Sequence, residues 1–144
     1  MTDAQVTYFM KEAQQEGKKA LPACLPNPPV GCVIVREGRI IARGHTSEPG
    51  GAHAEAMALN ELADDTDGAL FVTLEPCSFH GRTPSCAQRI VTTNIKQVYV
   101  GVIDPDPRNN GSGIALIEKA GIAVHVGTLA ASINNELQPY LFTS

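Results

Sequence analysis

The chain has no tryptophan, and only three tyrosines and four phenylalanines in 144 residues. Proteins that hold single-stranded nucleic acid use aromatic platforms and a basic groove. Lys and Arg number 11 against 15 Asp and Glu, a formal net charge of −4, so a strong, sequence-independent hold on nucleic acid is not expected. A local basic pocket for one small anion stays compatible with that balance. No apolar run approaches the ~18 residues of a membrane span, so no membrane partner is expected. The first residues mix Lys and Glu with apolar positions and do not read as a signal peptide. There is no repeat, low-complexity tract or linker. Without an export signal, four cysteines point to metal binding or buried thiols before disulfides, and the cytoplasm is the expected address. An apolar fraction of 43% and a charged fraction of 18% suit one globular domain over residues 1–144.

The chain does carry clear periodicity. Thr2 with Gln5 reads as a capping box, and Val6, Phe9, Met10 and Ala13 follow at helical spacing. Gly17 and Pro22 mark where that helix weakens and stops. Leu25-Pro26-Asn27-Pro28-Pro29 is expected to be a rigid extended loop, because proline lacks the amide donor. Val30–Val35 and Arg39–Ala42 flank Glu37-Gly38 as a hairpin. A helix is expected from His53, with Ala56, Leu59 and Leu62 inward. Leu70–Leu74 reads as a strand, Ala87–Val91 as helix and Gln97–Val102 as strand. Ile114–Ala120 reads as a helix closed by Gly121. Ile122–Val126 is the last strand, and Ser132–Leu141 a helix bent near Pro139. Alternating strands and helices in the second half predict an α/β fold: a three-layer α/β/α sandwich on a mixed five-stranded sheet.

Three residues stand out chemically. His53, Cys77 and Cys86 offer one imidazole and two thiolates, and a catalytic zinc takes three protein ligands and leaves a position open. Each falls at a predicted strand-to-helix junction, where local positive potential favours thiolate. Such junctions at the carboxyl ends of strands converge on one edge of an open sheet. Glu55 lies two residues past His53. A His-x-Glu pair followed by Pro-Cys and a second Cys is the signature of zinc deaminases, in which the glutamate is not a ligand but moves protons. Zinc lowers the pKa of water toward neutrality. Glu55 would take the proton, pass one to a ring nitrogen and help the amine depart.

Three further stretches support a family resemblance. Pro26-Asn27-Pro28-Pro29-Val30-Gly31-Cys32-Val33-Ile34-Val35, Thr73-Leu74-Glu75-Pro76-Cys77-Ser78-Phe79-His80-Gly81-Arg82-Thr83-Pro84-Ser85-Cys86 and Asp104-Pro105-Asp106-Pro107, with His53-Ala54-Glu55-Ala56, closely resemble the deaminase domain of the RibD-type riboflavin-biosynthesis family, which is cytidine deaminase-like. The resemblance runs from about residue 5 to residue 142, and the eight residues between Cys77 and Cys86 are its specific part. It implies Zn2+ on His53, Cys77 and Cys86, with Glu55 as acid/base. The reaction it implies is hydrolytic deamination of diaminohydroxyphosphoribosylaminopyrimidine, a small phosphorylated aminopyrimidine. It places Asn27 and His45 among substrate contacts near the pyrimidine and ribose-phosphate, and Arg82 and Asp104 in loops holding the ribose-phosphate end. Asn27 also reads as a turn cap, Arg82 as a solvated charge, Asp104 as a turn former and His45 as a strand-end histidine. The resemblance further implies a homo-oligomer. Many members carry a reductase domain after the deaminase, and a separate reductase would be the partner of a chain lacking one.

The match has departures. Phe79 stands where the family has histidine, Ser85 replaces a proline, and Asp106 replaces a neutral amide. If that position faced a phosphate, like charges would repel. Asn109 occupies a place where a small apolar residue is common. These changes keep open a diverged deaminase acting on cytosine, cytidine, guanine or a similar base. Cys24 and Cys32 read as unpaired thiols, Tyr99 and Tyr140 as packing residues, and His125 as structural or exposed.

Overall fold

The computed structural model describes residues 1–79 and 84–141. Helix α1 (Asp3–Lys18) opens on the expected capping box: Thr2 Oγ1 accepts from the Gln5 amide at 3.1 Å, and Gln5 Oε1 accepts from the Thr2 amide at 2.9 Å. It buries Phe9, Met10, Ala13, Glu16 and Gly17, one helical stripe. The stretch that follows differs from expectation. Turns run through residues 19–26, and extended backbone resumes only at 28–30. Amides between the prolines close those turns, with Cys24 donating to Ala20 O at 3.0 Å and Asn27 to Cys24 O at 2.9 Å. Proline suits turns as readily as extended chain.

Strands β1 (Gly31–Arg36) and β2 (Arg39–His45) form the hairpin. Its turn has positive φ at both Glu37 and Gly38, the backbone that matches strand twist. Then come α2 (Ala54–Leu59), β3 (Asp67–Leu74), α3 (Cys86–Val91), β4 (Asn94–Val102), α4 (Ser112–Lys119), β5 (Ala123–Val126) and α5 (Ala130–Leu137). At Pro139 the chain passes into a 3-10 turn (Gln138–Tyr140), the expected bend. In α2 the inward residues are Ala54, Glu55, Ala58 and Leu59. Ala56 is half-exposed and the helix stops before Leu62.

The sheet order is β2-β1-β3-β4-β5. β1 pairs antiparallel with both β2 and β3, and β3, β4 and β5 run parallel. This is the mixed five-stranded sheet expected. Helices α1 and α5 share one face, linked by Gln14 Nε2 donating to Ser132 Oγ at 3.1 Å and by Lys18 and Glu136 at 3.5 Å. Helices α2, α3 and α4 adjoin one another on the other. Under α1, a row of rings runs across the strands, from Phe9, tilted on Phe71 (5.6 Å between centroids), to Tyr99 (4.5 Å) and His125 (4.6 Å), these last three stacked. Phe71 is fully buried, which contributes roughly 2–3 kcal/mol of apolar transfer. Opposite, Gly44 lets α2 approach closely: a Cβ there would sit 2.1 Å from Ala54 O. No helix among the described residues is long and apolar enough to cross a membrane.

One buried charge ties α1 to β2. Glu16 accepts from His45 Nδ1 at 2.7 Å and from Lys19 Nζ at 3.0 Å. Burial opposes its ionisation, but the bonds from His45 and Lys19 outweigh burial and hold the carboxyl below its ordinary 4.5. The folded pKa is thus below the unfolded one. The stabilisation is present above about pH 4.5 and is lost as pH falls through the folded value. Glu16→Gln should cost about 1–3 kcal/mol at pH 7 and should flatten the acid limb of a urea-midpoint-against-pH curve. An unchanged acid limb would contradict the assignment.

Candidate active site

Three chain junctions meet at one end of the sheet. His53 precedes the first residue of α2 with extended backbone (φ −74°, ψ 166°) and is exposed. Cys77 lies three residues past the end of β3. Cys86 is the first residue of α3, and Ser85 caps that helix by accepting from the Gln88 amide at 3.2 Å. The serine that departs from the expected proline therefore does a cap's work. His53 Nδ1 lies 3.4 Å from Cys86 Sγ and 3.8 Å from Cys77 Sγ, and the Cys86 amide donates to Cys77 Sγ at 3.4 Å. Among the described residues this is the one group of three or more His, Cys, Asp or Glu whose ligand atoms fall within 4.8 Å of one another.

The donor set fits a divalent cation. Two sulfurs this close cannot both ionise alone. A hydrogen bond from Cys86 pulls Cys77 down to about 4, against burial, while the Cys77 sulfur and burial push Cys86 far up. Bonding to Cys77 raises the His53 pKa, against burial. A cation relieves the competition by stabilising both thiolates and neutral imidazole at once. Three protein donors is the number a catalytic zinc uses, one fewer than a structural zinc.

Glu55 is turned inward from α2 and is 4% exposed. Burial is the main reason its carboxyl is pushed up to about 7. A backbone hydrogen bond, His53 and Cys86 favour the charged form, and Cys77 opposes it. It therefore shares the electrostatic environment of the triad. A cleft of about 1340 Å³ opens over the group, lined by His53, Cys77, Cys86, Phe79, Arg89 and Arg108 among others.

The other expected site residues are placed variously. Asn27 is exposed in the loop entering β1. That loop is held to the carboxyl end of β3 by the Gly31 amide donating to Thr73 Oγ1 at 3.1 Å. The Asn27 side chain forms no hydrogen bond among the described residues, so it is free at the sheet end that carries Cys77. His45 is half-buried on the α1 side against Glu16 and borders a separate depression with Lys19, Ser47 and Met57. Asp104 is occupied as a turn former. Its Oδ1 accepts from the Asp106 amide at 3.0 Å, and its Oδ2 lies 3.4 Å from Asn109 Nδ2. Arg82 and His80 lie outside the described residues.

Sequence reasoning passed over Glu75 and undervalued Asn109. Glu75 is buried and accepts from the amides of Asp104 (3.1 Å), Gly111 (2.8 Å) and Ile114 (3.0 Å). Asn109 donates to Pro76 O at 3.2 Å and accepts from the Gly113 amide at 3.2 Å. A Cβ at Gly113 would lie 1.8 Å from Pro76 O, so α4 is clasped against the segment that carries Cys77. A carboxylate between a buried strand and Pro-Cys was the available signal. Glu75→Ala leaves three amide donors without their acceptor, that of Ile114 buried, and should cost about 3 kcal/mol. It should also weaken metal binding by about 10- to 100-fold, as loss of ligand-orienting partners does. Urea unfolding and competitive chelator titration check both effects.

A sheet end bearing His-x-Glu and two cysteines at strand-helix junctions defines the zinc-dependent deaminase class. The chain belongs to the cytidine and deoxycytidylate deaminase family: the family model for its zinc-binding region matches residues 3–102. Within that family it is similar to riboflavin biosynthesis protein RibD of Chlamydia pneumoniae, 41% identical over 139 residues, covering 96% of this chain and 37% of the relative. The RibD structure from Acinetobacter baumannii superposes with a TM-score of 0.91 at 36% identity, over 96% of this chain and 40% of that one. The diaminohydroxyphosphoribosylaminopyrimidine deaminase/5-amino-6-(5-phosphoribosylamino)uracil reductase of Thermotoga maritima gives 0.90 at 39% identity, with 96% and 40% covered. The chain thus spans well under half the length of these relatives.

Proposed function

We propose that this chain removes the ring amine of diaminohydroxyphosphoribosylaminopyrimidine by hydrolysis, releasing ammonia, in riboflavin synthesis. The observation that carries the reading is the convergence of His53, Cys77 and Cys86 beside a buried glutamate, in a chain about 40% identical to RibD proteins. His53 Nδ1, Cys77 Sγ and Cys86 Sγ would hold zinc. When bound, the metal supplies a Lewis acid that makes water nucleophilic at neutral pH.

The protein does the rest. Glu55 accepts one proton of the attacking water on its carboxylate and donates it to the ring nitrogen, then takes the remaining proton of the added hydroxyl and passes it to the leaving amine. Its poise near neutrality suits a group that takes and gives protons in one cycle, although a bound cation draws its pKa down again. Asn27, exposed on its loop, is assigned to the edge of the pyrimidine. Arg82 and His45 keep their assignment to the ribose-phosphate side, while Asp104 holds the loop that borders it. A single domain over residues 1–144, a cytoplasmic address, a homo-oligomer and a separate reductase partner belong to the same proposal.

The test is ammonia release by zinc-loaded protein from the phosphoribosylated intermediate, its dephosphorylated form, cytidine, cytosine and guanine. The phosphoribosylated intermediate should be the best substrate by kcat/KM. Turnover of another base with none of the intermediate contradicts the substrate, and ammonia from none contradicts the reaction.

A further inference from the structure

Phe79 and Arg108 interlock at the cleft, with Asp106 behind them. Arg108 lies over the ring of Phe79, its guanidinium carbon 4.8 Å from the centroid. Asp106 braces it from the side: Nη2 donates to Oδ2 at 2.6 Å, and Nε lies 3.1 Å from both carboxylate oxygens. The Arg108 backbone amide donates to the same carboxylate at 3.0 Å. The pair holds Asp106 below the ordinary carboxylate range, so both partners stay charged. One edge and one face of the guanidinium are thereby fixed. Among the described residues Nη1 and the second hydrogen of Nη2, the end-on edge, have no hydrogen-bond partner, on a side chain 71% exposed.

Phe79 and Arg108 both line the cleft whose lining includes His53, Cys77 and Cys86. Among the described residues no carboxylate lines it, whereas Arg89 does. Asp106 balances the charge of Arg108, so the attraction for an anion in this chain of net charge −4 comes from Arg89 and from the donors that Arg108 still presents. An end-on guanidinium fork matches two oxygens of a phosphate monoester. The arrangement also accounts for Asp106. Its carboxylate orients a cation, so it does not stand alone against the ligand's charge.

We propose that Arg108, braced by Asp106 and Phe79 at the cleft that holds the metal triad, is this chain's determinant for a phosphate monoester on the substrate. The inference rests on the proposed function only in taking this cleft as the substrate site. Arg108→Gln on zinc-loaded protein should raise KM for the phosphorylated intermediate about 10- to 100-fold, the effect of losing charged hydrogen bonds. The loss should fall on KM more than on kcat, and the dephosphorylated form should show no such rise. Phe79→Leu should shift the same preference in the same direction by a smaller factor. Calorimetric titration with ribose 5-phosphate, and with ribose as control, reads the site without turnover. Ribose 5-phosphate should bind the wild type and weaken at least tenfold in Arg108→Gln. An unchanged preference for phosphate, or an equal loss on both substrates, overturns the inference while leaving deamination standing. If the wild type does not deaminate the intermediate, the ribose 5-phosphate titration decides alone: tenfold weaker binding supports the role of Arg108, and equal binding rejects it.

Discussion

Glu55→Gln is expected to lower kcat by at least about 10³-fold while zinc stays bound. Removing a positioned acid/base costs 10² to 10⁴ in rate, and Glu55 is asked to move the proton at each stage. The amide is nearly isosteric, so α2 should keep its inward face of Ala54, Ala58 and Leu59. Burying an amide in place of a carboxyl at a site 4% exposed should leave stability near the wild type, because the carboxyl was already reluctant to ionise there. The loss should appear in kcat with KM little changed, the pattern of a group that acts in the transition state. Metal content measured on the same preparation separates this outcome from a collapsed site. Turnover within tenfold of wild type on a metal-replete sample would remove Glu55 from the mechanism.

Stripping the metal should abolish ammonia release and also loosen the fold. A chelator returns the site to competing groups in which Cys77 and Cys86 share one proton beside His53. Binding at a hundredfold excess over Kd stabilises a protein by about 2.7 kcal/mol, so the melting temperature should fall by several degrees. Both losses should reverse on adding zinc back. Cys86→Ser should behave as permanently stripped protein, with the helix cap at Ser85 intact. Full activity after chelation, with metal shown to be absent, would contradict a catalytic role for the triad.

Much of this was legible in the residues. The capping box at Thr2, the hairpin at Glu37-Gly38 and the bend at Pro139 are local chemistry, and local chemistry decides them. His53, Cys77 and Cys86 were legible because metal ligands come in few residue types at junctions that strand order brings together. The harder features depend on tertiary partners. The turns through residues 19–26 form because Cys24 is buried and its amide reaches Ala20, which no proline count reveals. The partners of Asp104 and His45 were not legible, because a charge in a loop and a histidine ending a strand carry no record of them. Asp104 proved tied to the Asp106 amide and His45 to Glu16. Glu75 was overlooked because its three amide donors come from residues 104 to 114, far along the chain. The departures at Phe79, Ser85 and Asp106 looked like separate losses. Ser85 is a helix cap, and Phe79 and Asp106 meet on Arg108.

Metal stoichiometry tests the central claim most directly. Elemental analysis of purified wild type beside His53→Ala and Cys86→Ser, after dialysis against a weak chelator, should find close to one zinc per chain in the wild type and far less in either variant. Wild type without stoichiometric zinc, or variants that retain it in full, would contradict the site on which the deaminase reading stands.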